Sequence, residues 1–420
     1  MFFHYVKNND TVYKLSKQYS IPVNQIIKDN NLKEPYLLLI GECLIIKRDP
    51  FIYVVKKGDT ISNLSYRFSL PIEKIVDDNN LTSTTLEIGK KLLISYDYDD
   101  KVNKLVNGFA YQGTKESTLN QYFPSLTHIS PFAYRIKEDG HLLSFNVQRI
   151  LDQADEFDSK KMMVVANIKE SGGFSSSLSS SILNSSDYQN NLINDIKSEL
   201  STLKYDTICI DFEYVNEDEK NQYIDFLRKL KSALGSTKLF IALAPKNSDE
   251  QKGKLYTAHD YYAIGQIADY VILMTYEWGY TYGEPLPIAP LNEVRKVIRY
   301  AKSKIDNNKI IMGIPNYGYD WTLPYKKGNK ADSISNIEAM ELAKKYKVEI
   351  KRNKESQTPY FTYKNDNIEH IVHFDDACSF NKKINLALDE DLAGISIWTI
   401  STYYPQLEEL LSYYYTKKED

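Results

Sequence analysis

Eight short apolar runs, most of them separated by helix-periodic segments, constrain most of this 420-residue chain. They span residues 105–111, 128–134, 161–168, 207–213, 239–244, 270–276, 309–314 and 394–398. The clearest helical segments between them are 146–157, 187–203, 218–234 and 291–303. Eight alternations of this kind predict a (β/α)8 barrel over residues 105–420. A barrel of this type places its active site at the C-terminal ends of the strands. The residues at those ends are therefore the ones to read for chemistry.

The fourth run ends Cys209-Ile210-Asp211-Phe212-Glu213. Alternate strand side chains share a face, so Asp211 and Glu213 point the same way, roughly 6–7 Å apart. Carboxylates crowded on one face raise the pKa of at least one of them. A protonated acid beside an ionised one is what glycoside hydrolysis requires. An isolated pair of this kind would simply face water; its place as fourth of eight strands argues otherwise.

The other strand ends are unusual too. The sixth runs Met274-Thr275-Tyr276-Glu277-Trp278, the seventh into Asn316-Tyr317 and on to Trp321, and the eighth ends at Trp398. All three tryptophans thus fall at expected strand ends. The chain also carries 34 Tyr. Flat rings with a polar edge suit carbohydrate. After the third strand, Gly172-Gly173 permit a sharp turn near the site. The Ser-rich stretch 175–186 that follows is compatible with a surface loop. An insertion between the seventh and eighth strands, about 335–375, reads as a helix and a strand pair walling one side of the cleft.

The first hundred residues repeat themselves. Asp10, Leu15, Ile26, Asn30, Asn31 and Leu32 recur 49 residues later as Asp59, Leu64, Ile75, Asn79, Asn80 and Leu81. Such a period means two copies of one module, here 1–48 and 51–95, followed by a linker, 96–104. Each copy reads strand, helix, helix, strand. A unit this small has a marginal core and suits binding rather than catalysis. Y-x-V-x-x-G-D-T at Tyr53–Thr60 and D-N-N-L at 78–81 resemble the LysM family. The first copy departs, with His4 for Tyr and Asn9 for Gly. The resemblance implies binding of glycans containing N-acetylglucosamine, such as peptidoglycan or chitin. It puts the grooves at Gly58, Asp59, Thr60, Ile61, Asn80 and Leu81, and at Asn9, Asp10, Thr11, Asn31 and Leu32.

A net charge of −4 gives no reason to expect nucleic acid, and no run approaches the ~20 apolar residues of a membrane span. No secretory signal is visible at the start of the chain. Three scattered cysteines, Cys43, Cys209 and Cys378, predict free thiols rather than a disulfide framework. His370 and His373 would point to opposite faces of a strand. No metal or other cofactor is expected.

The barrel resembles family 18 glycoside hydrolases. Their D-x-x-D-x-D-x-E pattern appears here from Asp206 to Glu213, with Cys209 at the second acidic position and Thr207 in place of a Gly. Their M-x-Y-D appears as Met274 to Glu277, with Glu for Asp, and their S-x-G-G turn approximately as Ser171-Gly172-Gly173. The resemblance implies catalysis assisted by the substrate's own acetamido group. It makes Glu213 the acid and base, Asp211 the clamp on the acetamide and Tyr276 a donor to its oxygen. Trp398 would be the floor, with Tyr317, Trp278, Glu277 and Asn316 as substrate contacts. A thiol at Cys209, one charge short of the pattern, is expected to leave Asp211 more readily ionised and Glu213 less elevated. Tandem LysM modules before such a barrel resemble the spore cortex-lytic N-acetylglucosaminidases. That implies a spore location, synthesis in the mother-cell cytoplasm and cleavage of peptidoglycan after N-acetylglucosamine. A chitinase with identical catalytic residues is an alternative. A non-catalytic glycan-binding protein is another, and the presence of both Asp211 and Glu213 argues against it.

Overall fold

The computed structural model describes residues 1–68, 70–96 and 101–417. Eight parallel strands close into a barrel: β1 (Leu105–Tyr111), β2 (His128–Phe132), β3 (Lys160–Ala166), β4 (Thr207–Asp211), β5 (Lys238–Leu243), β6 (Tyr270–Leu273), β7 (Ile310–Pro315) and β8 (Gly394–Trp398). Closure is made by β8 against β1, with Gly394 opposite Leu105. The bounds of β1 and β8 are those expected from the sequence. β4 and β6 stop short of 213 and 276 because the apolar pattern reports burial, and burial continues past the last paired residue.

Parallel strands covered on both faces read as continuous apolar runs, and these do. Ile208, Ile210 and Phe212 face the helical layer, whereas Cys209 lies inside the barrel with Met162, Val164 and Phe240. Helices Gln148–Glu156, Ser186–Thr202, Lys220–Ala233 and Leu291–Lys302 occupy the expected segments. The Ser-rich stretch is not a loop. It forms a helix, Ser176–Leu183, capped by the Ser175 hydroxyl, which accepts from the Leu178 N–H. Leu178 and Ile182, one turn apart, give it a buried face.

The insertion is larger than the pattern suggested. A five-stranded antiparallel sheet runs in the order Asp332–Ile334, Gly318–Leu323, Ile368–His373, Pro359–Asn365, Lys351–Arg352. Helix Asn336–Tyr346 packs on it through Ala339 and Ala343. Gly318–Leu323 belongs to this sheet because it pairs with Ile368–His373. Trp321 therefore leaves the barrel mouth: it is 2% exposed, and its Nε1–H donates to the Gly283 carbonyl. His370 pairs with Asp320, and His373 stacks on Tyr360.

Each N-terminal module has a two-stranded antiparallel sheet, Phe2–Tyr5 with Cys43–Ile46 and Phe51–Val54 with Lys91–Ile94. Their cores merge into one apolar cluster, in which the Phe2 and Tyr96 rings lie 4.8 Å apart. Of the expected linker, residues 97–100 lie outside the described residues. The first module docks on the inserted subdomain. Leu39 joins the cluster of Ile350 and Phe361, and the Ile350 N–H donates to the Ile40 carbonyl at 2.9 Å. Gly41 permits this approach, since a Cβ there would lie 1.8 Å from the Ile350 oxygen. Lys33–Glu341 and Lys344–Glu42 ion pairs flank the contact.

A disulfide, Cys43–Cys378, bolts the first module to the helix Ala377–Asp389. This corrects the expectation of free thiols. Its two cysteines are 335 residues apart in sequence, so their meeting depends on docking that no local pattern reports. Among the described residues Cys209 alone is a free cysteine, and it is buried. No helix among the described residues is long and apolar enough to cross a membrane.

Candidate active site

A cavity of about 680 Å³ opens at the C-terminal end of the barrel strands. Asp211, Glu213, Tyr276, Glu277 and Trp398 all line it. They come from three strand ends far apart in sequence, as the barrel reading requires. Asp211 is 6% exposed, and its Oδ1 is buried with no hydrogen-bond partner. Burial raises its carboxyl above the ordinary range. Glu213 is pushed well up by burial, with the charges of Asp211 and Glu277 adding to the effect. Neither carboxyl is left at its ordinary value. Burial and the nearby Asp211 also push the Cys209 thiol up, which keeps it neutral.

Tyr276 fits beside β7 because Gly313 lacks a side chain; a Cβ there would lie 2.8 Å from its ring. Glu277 adopts φ +67°, a left-handed backbone that a glutamate rarely takes. Its carboxylate accepts from the hydroxyls of Tyr317 and of Tyr319, the latter at 3.0 Å. Those bonds lower its pKa, but burial is the larger effect and the net shift is upward. Strained backbone held by specific partners is characteristic of functional sites. Trp398 is braced edge-on by Phe132 at 4.7 Å, Phe109 at 5.3 Å and Tyr111 at 5.9 Å.

Three expected substrate contacts are placed elsewhere. Asn316 is 2% exposed and donates to the carbonyls of Thr399 and Thr402, so it fastens the turn after β8. Trp278 packs against the barrel core instead of lining the cavity. Tyr317 reaches the site through Glu277. The sequence reading missed the ring wall of Tyr111, Phe132, Tyr214, Tyr256 and Tyr280. Tyr111 and Phe132 end β1 and β2 and were open to the same strand-end argument. Tyr256 and Tyr280 lie in loops without a readable pattern.

In the modules, Asp59 accepts from the Tyr53 hydroxyl at 2.6 Å and the Lys56 N–H at 2.7 Å. Asp10 has the same role with His4 Nε2 at 2.8 Å and the Lys7 N–H at 2.7 Å. His4 thus replaces Tyr as a ring with a polar tip. Asn9, at φ +65°, fills the place of Gly58, at φ +89°, since Asn tolerates the left-handed region. Thr11 caps its helix by accepting from the Lys14 N–H, and Thr60 likewise from Asn63. Ile61, Leu81 and Leu32 are core residues, 3%, 9% and 7% exposed, and do not face a groove. Asn31 and Asn80 remain exposed at matching left-handed turns.

Comparison with known proteins places this geometry. The LysM profile matches residues 4–47 and 53–95, and the profile for glycosyl hydrolases family 18 matches 88–402. The chain is 40% identical to a cortical fragment-lytic enzyme of Bacillus anthracis, over 97% of this chain and 96% of that protein. It is 37% identical to the cortical fragment-lytic enzyme of Bacillus subtilis (strain 168), over 98% of this chain and 97% of that protein. The crystal structure of the Bacillus megaterium QM B1551 spore cortex-lytic enzyme SleL superposes with a TM-score of 0.86 at 37% identity, covering 99% of each chain. With two LysM modules ahead of a barrel whose fourth strand ends at Asp211, two residues before Glu213, both lining the cleft, this chain belongs to glycosyl hydrolases family 18.

Proposed function

We propose that this glycosidase hydrolyses spore-cortex peptidoglycan fragments, cutting after N-acetylglucosamine with retention at the anomeric carbon. The observation that carries the reading is the cavity lined by Asp211 and Glu213, where burial and the charges of Asp211 and Glu277 push the Glu213 carboxyl well above its ordinary range. The Asp211 Oδ1 is buried without a donor, which is costly, and a turn of this carboxyl toward the cavity would let it accept from a substrate acetamide N–H. Glu213 gives its proton to the glycosidic oxygen as that bond breaks. The acetamido oxygen attacks the anomeric carbon, forming an oxazolinium ion, the substrate-assisted route. Asp211 accepts from the acetamide N–H and stabilises the charge forming there. Tyr276 donates its hydroxyl to the acetamido oxygen and holds it in line. Glu213, now ionised, takes a proton from water as the water oxygen bonds the anomeric carbon, which breaks the bond to the acetamido oxygen and restores the acetamide. Trp398 stacks beneath the sugar whose bond breaks.

The names of the full-length relatives support the substrate, and also a location in the spore. The LysM modules would hold the glycan through the exposed turns at Asn31 and Asn80. The test is mass spectrometry of products from muramic-lactam-containing cortex fragments in H₂¹⁸O. Label at N-acetylglucosamine reducing ends is expected. Reducing-end muramic acid would overturn the cleavage side, and release from chitin alone would overturn the substrate.

A second expected result follows from the buried strand. Cys209→Asp sets a third carboxyl beside Asp211 and Glu213, with Glu277 across the cleft. Added negative charge raises the proton affinity of its neighbours, so the pH profile of kcat/KM should move upward by about one unit. An unchanged profile would remove any electrostatic role for this position.

A further inference from the structure

β4 stops pairing at Asp211, yet Glu213 stands beyond it. The carbonyl of Phe212 and both polar backbone groups of Glu213 therefore need partners other than a strand, because buried backbone groups are nearly always satisfied. Two buried side chains supply them. Asn167, fully buried just after β3, accepts from the Glu213 N–H at 2.9 Å and donates to the Glu213 carbonyl at 2.7 Å. Its amide acts as one more residue of a neighbouring strand. Asn167 is itself held by Ser175, whose N–H donates to the Asn167 carbonyl at 3.0 Å and whose carbonyl accepts from Nδ2 at 3.2 Å. The turn through Gly172 and Gly173, at φ +96° and +79°, brings Ser175 back to that position.

His259 works from the other side. It is 1% exposed. Its Nδ1 faces the Ala244 N–H at 2.9 Å, and a backbone N–H can only donate, so Nδ1 accepts. The proton therefore sits on Nε2, which donates to the Phe212 carbonyl at 3.0 Å. Burial lowers the ring's pKa to about 4, so this neutral tautomer holds at neutral pH. The imidazole thereby ties the end of β4 to the residue after β5. Neither Asn167 nor His259 lines the catalytic cavity.

We infer that Asn167 and His259 are positioning residues that fix the backbone of Glu213 so that its carboxyl meets the glycosidic oxygen. This rests on the assignment of Glu213 as the acid. A strand end released from both clamps gains freedom at the one residue whose placement sets proton transfer.

The test measures kcat and KM on cortex fragments for Asn167→Ala, Asn167→Asp and His259→Phe, with Glu213→Gln alongside and folding checked by circular dichroism. Asn167→Ala should lower kcat ~100-fold with KM within ~3-fold, the cost of misplacing a reacting group by ~1 Å. Asn167→Asp is isosteric and keeps the acceptor but loses the donor; it should lose ~10-fold in kcat. It decides the matter if the alanine variant does not fold. His259→Phe, of similar bulk, should also lose ~10-fold in kcat. Folded variants with kcat unchanged, or with kcat and KM altered in proportion, would overturn the clamp. Retained activity in Glu213→Gln would instead overturn the acid assignment. An inactive Glu213→Gln beside a fully active Asn167→Ala would remove the clamp alone.

Discussion

Glu213→Gln lowers product release from cortex fragments by at least ~10³-fold while leaving KM nearly unchanged, as expected when a general acid is lost. Glutamine keeps the volume and can still hydrogen-bond, so the cavity and the clamp from Asn167 persist. What disappears is a proton that the site is built to retain. Burial and the charges of Asp211 and Glu277 hold it on Glu213 well above the ordinary carboxylate range. The deficit should depend on the leaving group. An N-acetylglucosaminide of an acidic phenol departs without protonation, so its first step should be nearly as fast in the variant as in the parent. Equal losses in that first step on both substrates would mean that Glu213 acts on something other than the leaving oxygen. Release from cortex fragments at the parent's rate would sink the mechanism.

Replacing both Cys43 and Cys378 by alanine lowers stability by about 2–4 kcal/mol, the usual worth of a disulfide, with the long closed loop favouring the upper end. The bond joins positions 335 residues apart, and both ends are buried at 3% exposure, so it fixes the first module against the barrel. Chemical denaturation with and without reductant reads the effect, and the reduced parent should resemble the double variant. Turnover of small soluble fragments should not change, because neither cysteine lines the catalytic cavity. The docking of Leu39 beside Ile350 and the Lys344–Glu42 pair remain after reduction, so the module should stay seated. A midpoint insensitive to reductant would mean that the bond adds nothing to that seating.

The sequence by itself determined the barrel, its eight strands, the tandem modules and the two carboxyls at the end of the fourth strand. These follow from periodicity, and periodicity is local: a parallel strand covered on both faces must be apolar throughout, and a repeated module repeats its residues. The meeting of Asp211, Tyr276 and Trp398 was legible for the same reason, since barrel closure places strand ends together. Only the tertiary structure decided which aromatic rings line the cleft. Trp321 looks like a strand-end residue, but cross-strand pairing with Ile371 draws it into the inserted sheet. Asn316 ends its strand as expected and then turns to the carbonyls after β8. The disulfide, the docking of Gly41 beneath Ile350, and the grip of Asn167 and His259 on Glu213 share one physical cause. Each joins groups distant in sequence through a side chain or backbone contact with no period, so no pattern along the chain announces it.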